Sequence, residues 1–440
     1  MDGRRLTMVN RPVITLLTSG TRGDVLPYIA LGKGLIEAGY NVRIAAPRGF
    51  AGLFSSGNKT SPLPTFAPFD GNPTDLMVEQ GDFTPFTLGT QPIRSMQATR
   101  AFLQKARPLY RQMLHSAAEA CRGSDLLMYG LPSIWGAHIA EGLGIPAIRA
   151  NLQPLTPTRE FPSALLPFRF SLSGIGNWLS HWAVTQATWL SWRSEINRAR
   201  QADFGLGPAH WLDPTLRADA QQPLTLNAFS EHVVPRPRDW NDKQVITGYW
   251  KPLSPDWTPP KELQSFIDSA RNPIAIGFGS PGTQGYLPML ETALRLANAQ
   301  AVLTLPAKWH GEVKSKQIFP IEYVPHDWLY PRVKVAIHHG GAGTTSASLH
   351  AGLPAIALPL AIDQFFWGER ICKLGVGLSI PQRKLTAQNL AQAITEALNN
   401  KEMKAKAKTI HDALNTEDGI QAAIKSLPLT IDSRRWTIDD

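Results

Sequence analysis

Val335 to Arg370 reads VAIHHGGAGTTSASLHAGLPAIALPLAIDQFFWGER. The stretch parses as a buried strand, a small-residue loop, a helix, a second strand and an acid-amide pair. Val333, Val335, Ala336 and Ile337 form the short apolar run of a parallel strand covered on both faces. Two histidines and the run Gly340-Gly341-Ala342-Gly343-Thr344-Thr345 follow at once. Glycines there let backbone N–H groups approach a ligand, and the positive end of the next helix points at the same spot. That combination predicts a phosphate or diphosphate cradle. The second strand, Ala355 to Leu360, ends at Ile362-Asp363-Gln364. Ligands of open α/β sheets bind at the carboxyl ends of strands, so phosphate donors and sugar-sized polar groups would share one crevice.

The same grammar opens the chain. A strand at Val13–Leu17, a loop over 18–24, a helix from Pro27 to Ala38 and a strand at Asn41–Ala46 make a βαβ unit, with Gly39 as the helix stop. Further alternation is expected at Asp125–Tyr129, Ser133–Leu143 and Ala147–Ala150. Residues 55–95, rich in Pro, Gly, Thr and Phe, read as long loops. The dense prolines between Val234 and Pro260 read as a linker. A second α/β unit follows, with strands at Pro273–Gly277 and Ala301–Leu305 around a helix at Leu287–Asn298. Helices at Ala387–Asn399 and Lys401–Leu414 close it.

At 440 residues the chain exceeds one ordinary core, so two domains are expected. The net charge of +9 is modest and no long Lys/Arg run occurs, which argues against nucleic acid. Cys121 and Cys372 are the only cysteines and form no CxxC or disulfide framework, as fits a reducing compartment. No stretch reaches the ~18 apolar residues that span a bilayer. The expected location is cytoplasmic, with peripheral membrane contact left open. No Asp-x-Asp pair or metal-ligand spacing is present, so no metal site is expected. Leaving phosphates would then depend on helix N-termini, hydroxyls and a histidine.

Gly20-Thr21-Arg22-Gly23-Asp24 after the first strand does not fit GxGxxG. Asp24 stands where a helix begins, and an N-terminal cap and a catalytic base are equally good accounts of it. Phe278-Gly279-Ser280 is a strand-to-helix turn with a hydroxyl. Trp178, Trp182, Trp189 and Trp192 share one helical face, which suits either a domain core or a lipophilic acceptor pocket.

With these residues in hand, the stretches HHGGAGTT and GLPAIALPLAIDQFFWGERICKLGVG resemble the donor-binding signature of GT-B glycosyltransferases. The likeness is closest to the inverting UDP-glycosyltransferase branch that holds sterol glucosyltransferases and antibiotic glycosyltransferases. GTRGDVLPYIALGKGLIEAGYNVRIA, HVVPRPRDWNDKQVITGYW, IAIGFGS and YVPHDWLYPRV agree with it. The resemblance implies an α/β fold of two Rossmann-like domains facing a central cleft. Residues 1–240 would bind the acceptor, 241–262 would link, 263–420 would bind the nucleotide sugar, and 421–440 would return toward the first domain. It also implies inverting transfer of glucose or a related hexose from a UDP-sugar to a hydroxyl of a lipophilic acceptor such as a sterol, polyketide or phenolic. UDP-glucose would be a co-substrate, with no cofactor, and the chain would be monomeric.

Carried over by position, Asp24 takes the place of the plant members' catalytic histidine. His339 would contact the diphosphate, with Gly341, Gly343 and Thr344 around it and Ser280 near the phosphates. Asp363 and Gln364 would bind hexose hydroxyls. His326 and Trp328, beside Tyr323, fall where the family builds its uracil site, and Trp178 and Trp182 are candidates for the acceptor. The plant members' ribose-binding glutamate is replaced by Ala347, which weakens the distinction between UDP and dTDP. A nucleotide-sugar epimerase or hydrolase on the same fold is the alternative.

Overall fold

The computed structural model describes residues 12–55, 62–72, 76, 92–167, 172–213, 224–252, 257–278 and 283–427. Two parallel sheets organise them. The first contains β1 (Val13–Leu17), β2 (Asn41–Pro47), β3 (Thr65–Phe69), β4 (Leu126–Tyr129), β5 (Ala147–Asn151), β6 (Thr225–Asn227) and β7 (Gln244–Ile246), in the order β3-β2-β1-β4-β5-β6-β7. The second contains β8 (Pro273–Gly277), β9 (Gln300–Thr304), β10 (Ile318–Ile321), β11 (Val335–His338), β12 (Ala355–Ala357) and β13 (Gly377–Ser379), in the order β10-β9-β8-β11-β12-β13. Strand order reverses between β1 and β4 in one sheet and between β8 and β11 in the other. Such switch points leave a crevice beyond the strand ends, where ligands bind. The loop after β1 and the loop after β11 are the two glycine-rich motifs of the sequence.

The strands are central, buried and apolar because helices cover both faces. On one face of the first sheet lie α1 (Arg22–Glu37) and the core of Ile14, Leu16, Val25, Ile44 and Met128. On the other lie α2 (Pro92–Ala120), α3 (Gly136–Leu143) and the long α4 (Ser173–Phe204), around Leu127, Trp135 and Trp189. The second sheet is sandwiched between α5 (Lys261–Ser269) and α6 (Leu287–Ala297), joined by α7 (Ala342–His350), α8 (Gln364–Leu374), α9 (Ala387–Asn399) and α10 (Lys401–Leu414). A separate cluster fastens the halves together. Phe229, Val233 and Trp240 of the first half pack against Phe366, Trp367 and Ile371 of α8. Phe229 and Trp367 meet edge to face at 6.4 Å, and Arg370 Nε donates to the Val233 carbonyl at 2.7 Å.

Several elements have the expected bounds, among them β1, β8, α9 and α10. Others differ for physical reasons. Helix α1 begins at Arg22, before Pro27, because the Thr21–Asp24 capping box starts it there, and Pro27, its sixth residue, forfeits only its own backbone bond. The span 55–95 is not all loop: it contains β3, an edge strand, where Pro68 interrupts no central ladder. The proline-dense span before Pro260 holds β7, the other edge, too short at three residues to show alternation. Strand β12 stops at Ala357, short of Leu360. Among the described residues no helix is long and apolar enough to cross a membrane.

After α10 the chain returns to the first half. Helix α11 (Gly419–Lys425) lays Ile420, Ala423 and Ile424 into the α1 core. Gly34 of α1 permits this approach, since a Cβ there would overlap Ile420 Cγ2. Gly34→Ala should therefore destabilise the protein by about 1–3 kcal/mol, read as a lower melting temperature. Ile420→Ala in the same chain should restore part of the loss. An unchanged melting temperature for Gly34→Ala would show that α11 does not dock there.

Candidate functional site

Asp24 is the third residue of α1. Thr21 caps the helix, and its backbone N–H and hydroxyl both donate to Asp24 Oδ2, at 2.7 and 2.8 Å. Asp24 is thus not the N-cap itself but the third-position partner of a capping box. It uses one carboxylate oxygen and leaves Oδ1. The residue is partly open to the cleft but crowded by protein elsewhere, and desolvation raises its pKa against the opposing Thr21 bonds. One turn on, Tyr28 donates to the Ala150 carbonyl at 2.5 Å and ties α1 to β5.

The adjacent histidines divide their tasks. His338 ends β11 and is fully buried. Its Nδ1 accepts the Gly340 N–H at 3.1 Å and its Nε2 lies 3.3 Å from Ser348 Oγ, so it pins the loop to α7. His339 points otherwise. Its Nδ1 faces the Gly277 carbonyl without forming a well-aligned bond, and its Nε2 lies over Gly341. Burial lowers His338 to about 3 and His339 to about 4, so both are neutral imidazoles near neutral pH.

The glycines have distinct reasons. Gly340 has φ +84° and abuts the Gln364 carbonyl, where a Cβ would come to 2.9 Å. A Cβ on Gly341 would strike His339 Nε2. Gly343 is exposed and a Cβ there would meet nothing, so no protein contact demands glycine. Thr344 turns its hydroxyl back to the Gly341 carbonyl at 3.1 Å. The first N–H groups of α7 have no partners within the helix and open on the same space.

Asp363 follows Ile362, a β-branched residue with φ +55°, a conformation such residues hold only under surrounding constraint. Asp363 Oδ2 accepts from Trp367 Nε1 at 2.9 Å, one helical turn ahead. Gln364 Oε1 accepts the Leu360 and Ala361 N–H groups at 2.8 and 3.1 Å, leaving its amide N–H donors for other partners. Desolvation pushes the Asp363 pKa up to about 6, with the Trp367 bond opposing and the negative charge of Asp24 adding to the rise. The Gln153 side chain, from the first half, also donates to Asp363. Asp24 and Asp363 thus face each other closely enough to interact across the cleft.

The remaining candidates are placed as follows. His326 is near enough to His338 and His339 for its charge to lower both, and its ring stacks on Tyr330 at 4.6 Å. One side of Trp328 is covered by the Arg332 guanidinium at 4.5 Å, and Trp257 meets it edge-on at 5.1 Å. Tyr323 is exposed and carries the Arg22 guanidinium over its ring at 4.7 Å, a second bridge between the halves. Ser280 lies outside the described residues. The tryptophan face of α4 divides: Trp189 is buried against His138 and Trp192 stacks on Tyr110, whereas Trp178 is 41% exposed. A pocket at the carboxyl ends of β4 and β5 is lined by Trp135, Asn151, Val184 and Trp189, and neither Trp178 nor Trp182 is among its walls. Sequence reasoning missed Gln153 and Trp367. Trp367 has a local signal, four residues after Asp363 on one helix face. Among the described residues no three His, Cys, Asp or Glu side chains converge as a metal site.

Two family models match the chain: the glycosyltransferase family 28 N-terminal domain over residues 14–162 and the erythromycin biosynthesis protein CIII-like C-terminal domain over 289–424. A sterol 3-beta-glucosyltransferase of Glomerella lagenarium is 35% identical over 442 residues, covering 94% of this chain and 28% of that protein. One of Aspergillus terreus is 35% identical over 458 residues, covering 97% of this chain and 31% of that protein. The chain thus spans less than a third of the length of these relatives. The solved glycotransferase of kitacinnamycin superposes with a TM-score of 0.65 at 19% identity, covering 94% of this chain and 98% of that one. A Streptomyces sp. SF2575 glycosyltransferase complexed with thymidine diphosphate gives 0.61 at 15% identity, with coverages of 94% and 99%. These likenesses identify the fold as GT-B.

The raised pKa of Asp363 has a defined consequence for stability. Its contribution is complete below its unfolded pKa of 3.8 and is lost as pH rises through about 6. Asp363→Asn lacks this loss. Its melting temperature should gain on the wild type between about pH 4.5 and about pH 7.5, by the equivalent of roughly 1–3 kcal/mol. Parallel pH curves for the two proteins would contradict the burial of a strained carboxylate at this position.

Proposed function

We propose that this chain, whose halves match the glycosyltransferase family 28 N-terminal and erythromycin biosynthesis protein CIII-like C-terminal models on a GT-B fold, is an inverting hexosyltransferase. It moves glucose or a related hexose from a UDP-sugar to a hydroxyl of a lipophilic acceptor and yields a β-glycoside. The observation that carries the reading is the pairing of Asp24 and Asp363, from two switch points, in one desolvated cleft.

The acceptor hydroxyl attacks the anomeric carbon from the Asp24 side. Its proton passes to Asp24 Oδ1, the oxygen not held by Thr21, while the bond from the anomeric carbon to the diphosphate oxygen breaks. Burial raises the proton affinity of Asp24 toward that task. The departing diphosphate takes its charge onto the α7 N-terminus, with His339 and Gly341 beside it and the exposed Gly343 leaving room. Asp363, fixed by Trp367, and the free amide donors of Gln364 hold the hexose hydroxyls, and inversion follows from attack opposite the leaving group. Tyr323, His326 and Trp328 form the wall for the base.

Support for glucose comes from the sterol 3-beta-glucosyltransferase relatives. The solved relative with thymidine diphosphate makes a dTDP-sugar the competing donor. The pocket beside β4 and β5, mostly apolar with a few polar groups, suits the ring body of a steroid, polyketide or phenolic. The same reading has a monomer working against a membrane surface, where such acceptors reside. Ile175, Trp178 and Leu179 fall within one turn of α4 and are 67%, 41% and 50% exposed, on a chain of net charge +9.

Mass spectrometry of UDP-glucose and dTDP-glucose against sterols, phenolics and macrolides should find a hexose adduct with UDP-glucose. Asp24→Asn should lower transfer by about 10²–10⁴-fold and leave UDP binding nearly intact. Full turnover by that variant would remove Asp24 from the mechanism, and free glucose without any adduct would mark a hydrolase. The protein should also sediment with anionic phospholipid vesicles, and Ile175→Glu/Leu179→Glu should not. Equal sedimentation of both would place membrane contact elsewhere.

A further inference from the structure

The pocket at the carboxyl ends of β4 and β5 is largely apolar, yet the polar groups it leaves unpartnered are nearly all donors. Trp135, Ile134, Leu165, Val184 and Trp189 form its body. Asn151 is 3% exposed and its Nδ2 has no partner. Its register neighbour on β6, Asn227, does not satisfy it: Asn227 Nδ2 donates to the Val245 carbonyl at 3.3 Å, and Asn227 Oδ1, outside the pocket wall, is itself unpartnered, so no bond joins the two amides. Trp135 is 1% exposed and its Nε1 is likewise unpartnered. Arg149 stands two residues before Asn151 on the same strand, hence on the same sheet face and about 7 Å deeper. It is half-buried and lines the pocket, and among the described residues its guanidinium makes no ion pair or hydrogen bond.

The other charged groups of this region are already engaged. Arg200 pairs with Glu141 at 2.5 Å and approaches His138 Nδ1 at 2.9 Å. Burial lowers the His138 pKa to about 4, so that ring is neutral. The Asp213 carboxylate acts on His138, and its backbone N–H donates to Gln186 Oε1 at 3.0 Å. None of these supplies an acceptor for Arg149 or for Asn151 Nδ2. A hydrocarbon body filling the pocket would expel water and strand these donors, an outcome that disfavours binding strongly.

We propose that the acceptor carries, besides the hydroxyl that is glycosylated, a second oxygen function, a carboxylate or ketone, held by Arg149 with Asn151. The proposal rests on the glycosyltransferase reading for the identity of the first hydroxyl, and on the pocket alone for the second group. Gln153, two residues beyond Asn151, bonds Asp363, so the strand that carries Arg149 and Asn151 leads toward the proposed hexose site. The acceptor hydroxyl therefore lies toward Gln153, the ring body between the tryptophans, and the oxygen function inward at Arg149. Arg149 is a specificity-determining residue, and a plain sterol, with a hydrocarbon far end, is a poor acceptor.

The test uses matched acceptors with the full-length protein: 3β-hydroxysteroids with and without a 17-ketone, and naphthols with and without a remote carboxylate. Transfer from UDP-glucose and donor-free binding by calorimetry are both measured. The oxygenated member of each pair should be favoured by about 10–100-fold in kcat/KM and in affinity. Arg149→Met should abolish most of the preference for the carboxylate and change the hydrocarbon member little, and Arg149→Lys should restore part of it. Equal use of both members, or an equal loss with both in Arg149→Met despite an unchanged melting temperature, would overturn the proposal. No transfer to any acceptor, with the binding preference intact, would instead remove the transferase reading and leave the pocket assignment standing.

Discussion

Two carboxylates from different domains share one water-poor cleft, and the rest of the structure is arranged to hold them there. Left to themselves, Asp24 and Asp363 would repel and each would seek water. Each is instead tethered through one oxygen by a neighbour on its own helix, Thr21 for Asp24 and the Trp367 indole for Asp363. The tethers fix direction; Asp24 keeps Oδ1 open, while Asp363 also takes a bond from Gln153 of the other half. The cost appears as raised proton affinity at both sites, with desolvation as the leading cause at each. A group meant to accept a proton from an alcohol gains from such a rise.

That opposition survives only because the two halves cannot drift apart freely. The Phe229–Trp367 cluster, the Arg370 bond to Val233 and the return of α11 onto α1 hold the cleft from three sides. Trp367 takes part twice, packing between the domains and donating to Asp363. Domain contact and the placement of Asp363 are therefore coupled through one side chain. On the donor side the backbone is equally constrained. Gly340 is left-handed against Gln364, Gly341 makes way for His339, and Ile362 holds a conformation a β-branched residue avoids. The glycine loop after β11 and the Asp363-Gln364 pair thus touch through the backbone, where Gly340 meets the Gln364 carbonyl.

What could be read in advance follows from the range of each interaction. The strand-loop-helix units were legible because buried parallel strands are continuous apolar runs and their glycines mark close approaches. Asp24 was ambiguous in sequence because a capping carboxylate and a general base occupy the same helical position, and the structure has it capping through one oxygen while the other remains available. Edge strands β3 and β7 were hidden by proline and by brevity, properties that edges tolerate and centres do not. Gln153, Asn151 and Arg149 carried no signal, because their meaning comes from the other half of the chain or from a pocket that exists only when α4 packs on the sheet. The tryptophans of α4 misled in part: equal spacing along a long helix continues past the end of the domain it covers, so Trp189 is core and Trp178 is surface.

The most direct measurement is the titration of Asp363 itself, by carbon NMR of protein labelled at the aspartate carboxyl, in the wild type and in Asp24→Asn. A cleft that brings the two carboxylates together gives Asp363 a pKa near 6 in the wild type and a lower value once Asp24 is neutral. An Asp363 that titrates as an ordinary aspartate, or is indifferent to the charge at position 24, would mean that the two domains do not build one site.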